Sequence, residues 1–120
     1  MIILIAEDFA PIRSSLKRML ESIPGVTLVA EAADGIEAAK LLKTLNPDVL
    51  VLDVQMPGKT GLVVLQEMGT KTGHPTIIIL TNYATPDVRK QCLTLGADYV
   101  LDKTMEFHQV VEIVQKLARV

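Results

Sequence analysis

The chain has 120 residues, 49% of them apolar, with two Tyr, two Phe and no Trp, and a formal net charge of −2. That length points to one domain, residues 1–120, whose aliphatic core needs no staples. No cluster of Lys and Arg offers a surface that tracks nucleic-acid phosphates. The single cysteine, Cys92, excludes an internal disulfide and a cysteine-based metal cluster. The apolar opening Met1–Ala6 meets Glu7-Asp8 too early for a signal peptide or a membrane span, so a cytoplasmic address is expected.

Short apolar runs alternate with helical patterns, which predicts βαβ units and a parallel sheet. Ile2–Ala6 is the first strand. Pro11 suits a first helical turn, and Ile12, Leu16, Met19, Leu20 and Ile23 follow at helical spacing before Pro24-Gly25. Val26–Ala33 has polar residues interleaved and reads as an edge strand. Asp34 and Glu37 have capping-box spacing, and Ala38, Leu41, Leu42 and Leu45 give the next helix an inward stripe. Asp48–Asp53 carries Val49-Leu50-Val51-Leu52 without alternation, as in a strand covered on both faces.

Leu62, Leu65 and Met68 make a short helix after Gly61. Thr76–Leu80 is the fourth strand, ending at Thr81. Thr85 caps a helix with Pro86 in its first turn and Val88, Cys92 and Leu95 on one face. Asp98–Leu101 is the fifth strand, ending near Lys103. Thr104 is expected to cap a last helix with Phe107, Val110, Val111, Val114 and Leu117 inside. Five alternations fit a flavodoxin-like, doubly wound (βα)5 α/β fold, with a parallel five-stranded sheet of order 2-1-3-4-5. Cys92 reads as a small core residue, and His74 and His108 have no partner pattern. Met19, Met56, Met68 and Met105 read as packing or turn residues.

In that order the ends of strands one and three meet, and ligands collect outside such carboxyl ends. Glu7, Asp8 and Asp53 then share a cleft. Two carboxylates about 4 Å apart repel by about 4 kcal/mol at an effective dielectric of 20. The cluster needs a counter-charge, and hard oxygen donors without His or Cys suit Mg²⁺. Alone, Asp53 ends a strand, Glu7 and Asp8 favour a helix N-terminus, Thr81 is a turn residue and Lys103 a solvated charge. Together they read as a site for a phosphoryl group, with Asp53 expected to be the nucleophile for an acyl phosphate.

The acidic pair Glu7-Asp8, the run Asp53-x-x-Met56-Pro57-x-x-x-Gly61, Thr81, and Gly96-Ala97 followed by Lys103 resemble the receiver domain of two-component response regulators, end to end. The resemblance implies the following. Asp53 accepts a phosphoryl group from a sensor histidine kinase or a histidine phosphotransfer protein. Mg²⁺ is held by Asp8, Asp53 and the backbone carbonyl of Gln55, with Glu7 acting through water. Thr81 and Lys103 bind the phosphoryl oxygens. The face of helix four, strand five and helix five then switches, for a downstream effector, a C-terminal output domain or a phosphorylation-dependent dimer. Catalysis is limited to the domain's own phosphotransfer and slow dephosphorylation. No nucleic acid or membrane is bound by this chain itself.

Three positions depart from that family pattern. Val100 stands where an aromatic is usual, and Tyr99, one residue earlier, should face the other side of the sheet. Signalling is therefore expected to rely on Thr81 and loop movement. Thr104 replaces a proline after Lys103, so a trans bond is expected. The acidic pair is Glu-Asp instead of Asp-Asp. Gln55 and Tyr83, two residues after Asp53 and Thr81, are expected to line the path of the hydrolytic water. Two rivals remain open: a haloacid-dehalogenase-like phosphatase, which wants an acid where Gln55 stands, and a degenerate receiver acting only as an interaction module.

Overall fold

The computed structural model describes residues 1–69 and 74–119. Five strands and five helices alternate: β1 Ile2–Ala6, α1 Ala10–Glu21, β2 Leu28–Ala32, α2 Gly35–Leu45, β3 Val49–Leu52, α3 Gly61–Met68, β4 Thr76–Thr81, α4 Pro86–Thr94, β5 Tyr99–Asp102 and α5 Gln109–Ala118. All paired strands are parallel, in the order β2-β1-β3-β4-β5. The expected flavodoxin-like α/β fold is the one observed. Among the described residues no helix is long and apolar enough to cross a membrane.

Side-chain alternation along the strands sorts the core into two layers. Leu4, Leu50, Leu52, Ile77, Ile79 and Val100 face α2, α3 and α4, where Ala38, Val64, Leu65 and Cys92 meet them. Ile3, Ile5, Val49, Val51, Ile78, Leu80 and Leu101 face α1 and α5, against Leu16, Leu20, Val110 and Val114. Each fully buried Leu or Val contributes roughly 1.5–3 kcal/mol of transfer free energy. Cys92 is fully buried, in keeping with a packing role. Val100 is buried, whereas Tyr99 is exposed, as expected of neighbours on opposite faces.

Local chemistry sets the helix starts. Asp34, Thr60 and Thr85 each accept a hydrogen bond from the backbone N–H three residues on, at 2.8, 3.3 and 3.2 Å. Glu37 returns a contact to the Ala33 N–H at 3.3 Å, close to the capping box its spacing suggested. Thr104 does not cap α5. The Asp102 carboxylate takes the Thr104 and Met105 N–H groups at 2.8 and 2.9 Å, and Glu106 N–H closes on the Asp102 carbonyl at 2.9 Å. This turn delays α5 to Gln109, behind His108, which offers no side-chain cap. The Lys103–Thr104 bond is trans.

Two glycines let the β3–α3 connection lie against its neighbours. A Cβ on Gly61 would sit 2.2 Å from the Asp53 carbonyl oxygen, and one on Gly35 would sit 1.8 Å from that of Lys59. Both obstacles are backbone, so neither can swing aside. Gly61→Ala is expected to lower unfolding stability by about 3 kcal/mol. Urea denaturation checks this, and an unchanged midpoint would contradict the close approach.

Candidate functional site

β1, β3, β4 and β5 end at one edge of the sheet, where a cleft of about 400 Å³ opens between Asp8, Asp53, Gln55, Thr81, Tyr83 and Lys103. A groove of about 340 Å³ between α2 and α3 lies at the opposite ends of the strands, beside Pro47 and Pro75, away from these acids.

Asp53 follows the last residue of β3. Its N–H still joins the ladder, donating to the Ala6 carbonyl at 3.0 Å, so the side chain leaves the sheet at a fixed point. The carboxylate is 5% exposed. Oδ1 accepts the Gln55 N–H at 3.1 Å, and Oδ2 accepts from the Lys103 ammonium at 2.8 Å. Glu7 leaves β1 in the same way, its N–H donating to Ala32 at 3.0 Å. Glu7 is 2% exposed, and its Oε2 accepts the Phe9 N–H at 3.0 Å. Oε1 lies 2.5 Å from the Lys103 ammonium, which is buried with it. Asp8 is exposed, yet it brings a carboxylate oxygen into a set with Glu7 and Asp53 whose members lie within 4.8 Å of one another.

Thr81 is fully buried at the end of β4. Its hydroxyl oxygen accepts the Tyr83 N–H at 3.1 Å, which leaves the hydroxyl proton free to donate. Lys103 is placed by its own N–H, which donates to the Thr81 carbonyl at 2.9 Å. All the residues expected at the site from sequence are therefore brought together. Gln55 and Tyr83 line the mouth, both exposed.

The electrostatics follow from two buried carboxylates on one ammonium, with the exposed carboxylate of Asp8 beside them. Burial pushes the Glu7 carboxyl above its ordinary value, and the neighbouring Asp53 adds to this against the pull of Lys103 and the Phe9 N–H. Burial works against the Lys103 ammonium too, but hydrogen bonds to Asp53 and Glu7 outweigh it and hold its pKa above the ordinary value. The two directions agree: the cation is well served, and one anion is in surplus. An all-oxygen donor set with excess negative charge fits a hard divalent cation.

Other contacts at the site had no sequence signal. The Phe9 N–H, just ahead of α1, and the Arg13 guanidinium of α1, which donates to the Glu7 carbonyl at 2.8 Å, hold Glu7. The direct Lys103–Glu7 ion pair joins residues too far apart in the chain for spacing to relate them.

The sequence model of the response regulator receiver domain matches residues 3–115. The chain belongs to this family. It is 40% identical over 97 residues to a protein-glutamate methylesterase/protein-glutamine glutaminase of Xanthomonas campestris, a match covering 79% of this chain and 27% of that protein. The chain spans 56% of the length of a similar transcriptional regulatory protein from Bacillus subtilis and 54% of that of a nitrate/nitrite response regulator protein from Escherichia coli. In three dimensions the receiver domain resembles that of a DNA-binding response regulator (merR) from Colwellia psychrerythraea. The TM-score is 0.89 at 27% identity, with 100% of this chain and 99% of the other covered. A chain of the CheX–CheY–BeF3–Mg²⁺ complex from Borrelia burgdorferi is similar at 25% identity and a TM-score of 0.85, with 98% of this chain and 88% of the other covered.

The surplus anion has a thermodynamic signature in metal-free protein. The raised Glu7 pKa contributes stability that is complete below pH 4.5 and is lost as pH rises through the raised value. Glu7→Gln is expected to flatten that loss and to raise stability at neutral pH by about 1 kcal/mol. Thermal unfolding across pH with a chelator present checks this. A variant whose profile tracks the unmodified protein would refute the charge imbalance.

Proposed function

We propose that this receiver domain accepts a phosphoryl group on Asp53 from the phosphohistidine of a sensor histidine kinase or a histidine phosphotransfer protein. The observation that carries the reading is a buried carboxylate at a sheet edge, 2.8 Å from a buried ammonium and within reach of two further acids. A carboxylate oxygen of Asp53 attacks phosphorus, the phosphorus–nitrogen bond breaks, and the imidazole leaves with the electron pair. Such transfer demands positioning and charge stabilisation more than covalent help. Lys103 moves its attention from the carboxylate to the phosphoryl oxygens, and the free Thr81 proton donates to another. Glu7, Asp8, Asp53 and the Gln55 carbonyl would hold Mg²⁺, which when bound neutralises charge on the transferred group. That the similar Borrelia burgdorferi complex contains Mg²⁺ supports magnesium as the cation for this acidic set.

The output is a change in the face built from α4, β5 and α5, read by an effector, an attached output domain or a second copy. With Val100 small and buried on the α4 side, no ring follows Thr81, so the loop after β4 carries the movement. Gln55 orients and Tyr83 shields the water that hydrolyses the acyl phosphate.

Incubation with acetyl phosphate and Mg²⁺ is expected to add one phosphoryl group, seen by intact mass, and Asp53→Asn or a chelator to abolish the gain. Steady turnover of the donor without accumulation would support a phosphatase instead, and no reaction a degenerate module. In Gln55→Ala and Tyr83→Ala the decay of the phosphorylated form is expected to change, and equal decay in all three proteins would refute their role at the water path.

A further inference from the structure

Outside the acidic cleft, one side chain ties together the two loops that carry the site. Arg89, in the first turns of α4, points its guanidinium at three different segments. Nε donates to the Ala84 carbonyl at 3.2 Å, Nη1 to the Val100 carbonyl at 2.6 Å, and Nη2 to Glu106 Oε1 at 2.8 Å. Ala84 lies in the loop after Thr81. Val100 lies in β5, an edge strand whose outer carbonyls have no sheet partner. Glu106 lies in the turn after Lys103.

The same Glu106 oxygen accepts the Asp102 N–H at 3.0 Å, and the Glu106 N–H returns to the Asp102 carbonyl at 2.9 Å. The turn next to Lys103 is thus closed through the residue that Arg89 grips. On the other side, the Tyr83 N–H leans on the Thr81 hydroxyl, and the Thr85 N–H on the Tyr83 carbonyl, on either side of Ala84. Lys103 and Thr81 are already joined by a backbone hydrogen bond of 2.9 Å. The result is a ring of hydrogen bonds from Thr81 through its loop to Arg89, on to Glu106, and back through Asp102 to Lys103.

A half-exposed ion pair contributes little to stability on its own, so folding gives a weak reason for this arrangement. A planar fork with donors in fixed directions is suited to registering three groups at once, which a lysine's point charge cannot do. We infer that Arg89 and Glu106 are positioning residues that couple the Thr81 loop to the Lys103 turn. When the Thr81 hydroxyl turns to a phosphoryl oxygen, the loop shifts, the Ala84 carbonyl moves under Nε, and the guanidinium carries the shift to Glu106 and the turn. This does the work that an aromatic side chain at the position of Val100 would otherwise do. The inference rests on phosphorylation at Asp53 as proposed above.

The test compares the unmodified protein with Arg89→Ala, Arg89→Lys and Glu106→Gln, each treated with acetyl phosphate and Mg²⁺. The Asp53 oxygen–phosphorus bond forms as the bond to acetate breaks, and acetate leaves with the electron pair. Intact mass follows labelling, and ¹⁵N–¹H spectra follow the amides of residues 82–85 and 103–106. In the unmodified protein both segments are expected to shift on labelling. In Arg89→Ala the 82–85 shifts persist, the 103–106 shifts fall to a fraction, and labelling slows by about fivefold, the lower end of ordinary coupling between sites. Arg89→Lys keeps the charge and loses the fork, so it behaves like Arg89→Ala, and Glu106→Gln weakens the same link. If the variants label and shift as the unmodified protein does, the coupling is overturned while phosphorylation at Asp53 stands. If the unmodified protein gains no mass, both fall together.

Discussion

The Lys103 ammonium between the Glu7 and Asp53 carboxylates is the contact on which the rest of the site depends. It lies 2.5 Å from one and 2.8 Å from the other, in a pocket where all three side chains are nearly excluded from water. A buried pair of this kind gains little over an apolar substitute, but removing the Lys103 ammonium costs about 3–5 kcal/mol, because two buried carboxylates are left without compensation. The arrangement is also deliberately incomplete. One ammonium cannot balance the two buried carboxylates it touches, with the exposed carboxylate of Asp8 beside them. The cleft therefore holds affinity in reserve for a further cation and for whatever that cation carries.

The sheet supplies the rigidity this balance requires. Glu7, Asp53 and Lys103 each keep a backbone hydrogen bond to the neighbouring segment at 2.9–3.0 Å, although each lies just past the last residue or two of its strand. The side chains are thus aimed by ladder geometry and not by loop packing. The loop beyond Asp53 is pressed close by two glycines, Gly35 and Gly61, where any side chain would meet backbone. Exposed residues line the mouth and buried ones the floor. That division suits the phosphoacceptor role proposed for Asp53, which requires access from outside and one reacting geometry.

Response regulator receiver domains share this fold across very different outputs, and the chain covers only part of the curated relatives it matches. What is particular to this chain lies at the margins of the cleft. Val100 gives the α4 side no ring to move, and Thr104 gives the lysine turn no proline. In their place stand an arginine fork on α4 and a carboxylate-closed turn ahead of α5. The same task of linking the Thr81 loop to the Lys103 turn is met with polar groups instead of an aromatic one.

Much of the molecule was legible in the chain itself. Continuous apolar runs marked the central strands, since a parallel sheet covered on both faces has no polar side to alternate with. An acid, a hydroxyl or an ammonium at or just beyond a strand end marked the site, because strand ends share one edge whatever their separation in sequence. Local rules misplaced the start of α5: Thr104 has the chemistry of a cap, but Asp102 takes the N–H groups of Thr104 itself and of Met105, in a turn that delays the helix to Gln109. Nothing in spacing could relate Arg89 to Glu106, or Lys103 to Glu7. Those pairs depend on side-chain reach across elements, which is set only when the layers pack. Periodicity along one strand of chain thus decided which residues stand at the rim, and tertiary packing alone decided which of them touch, since charge partners are chosen by distance in space.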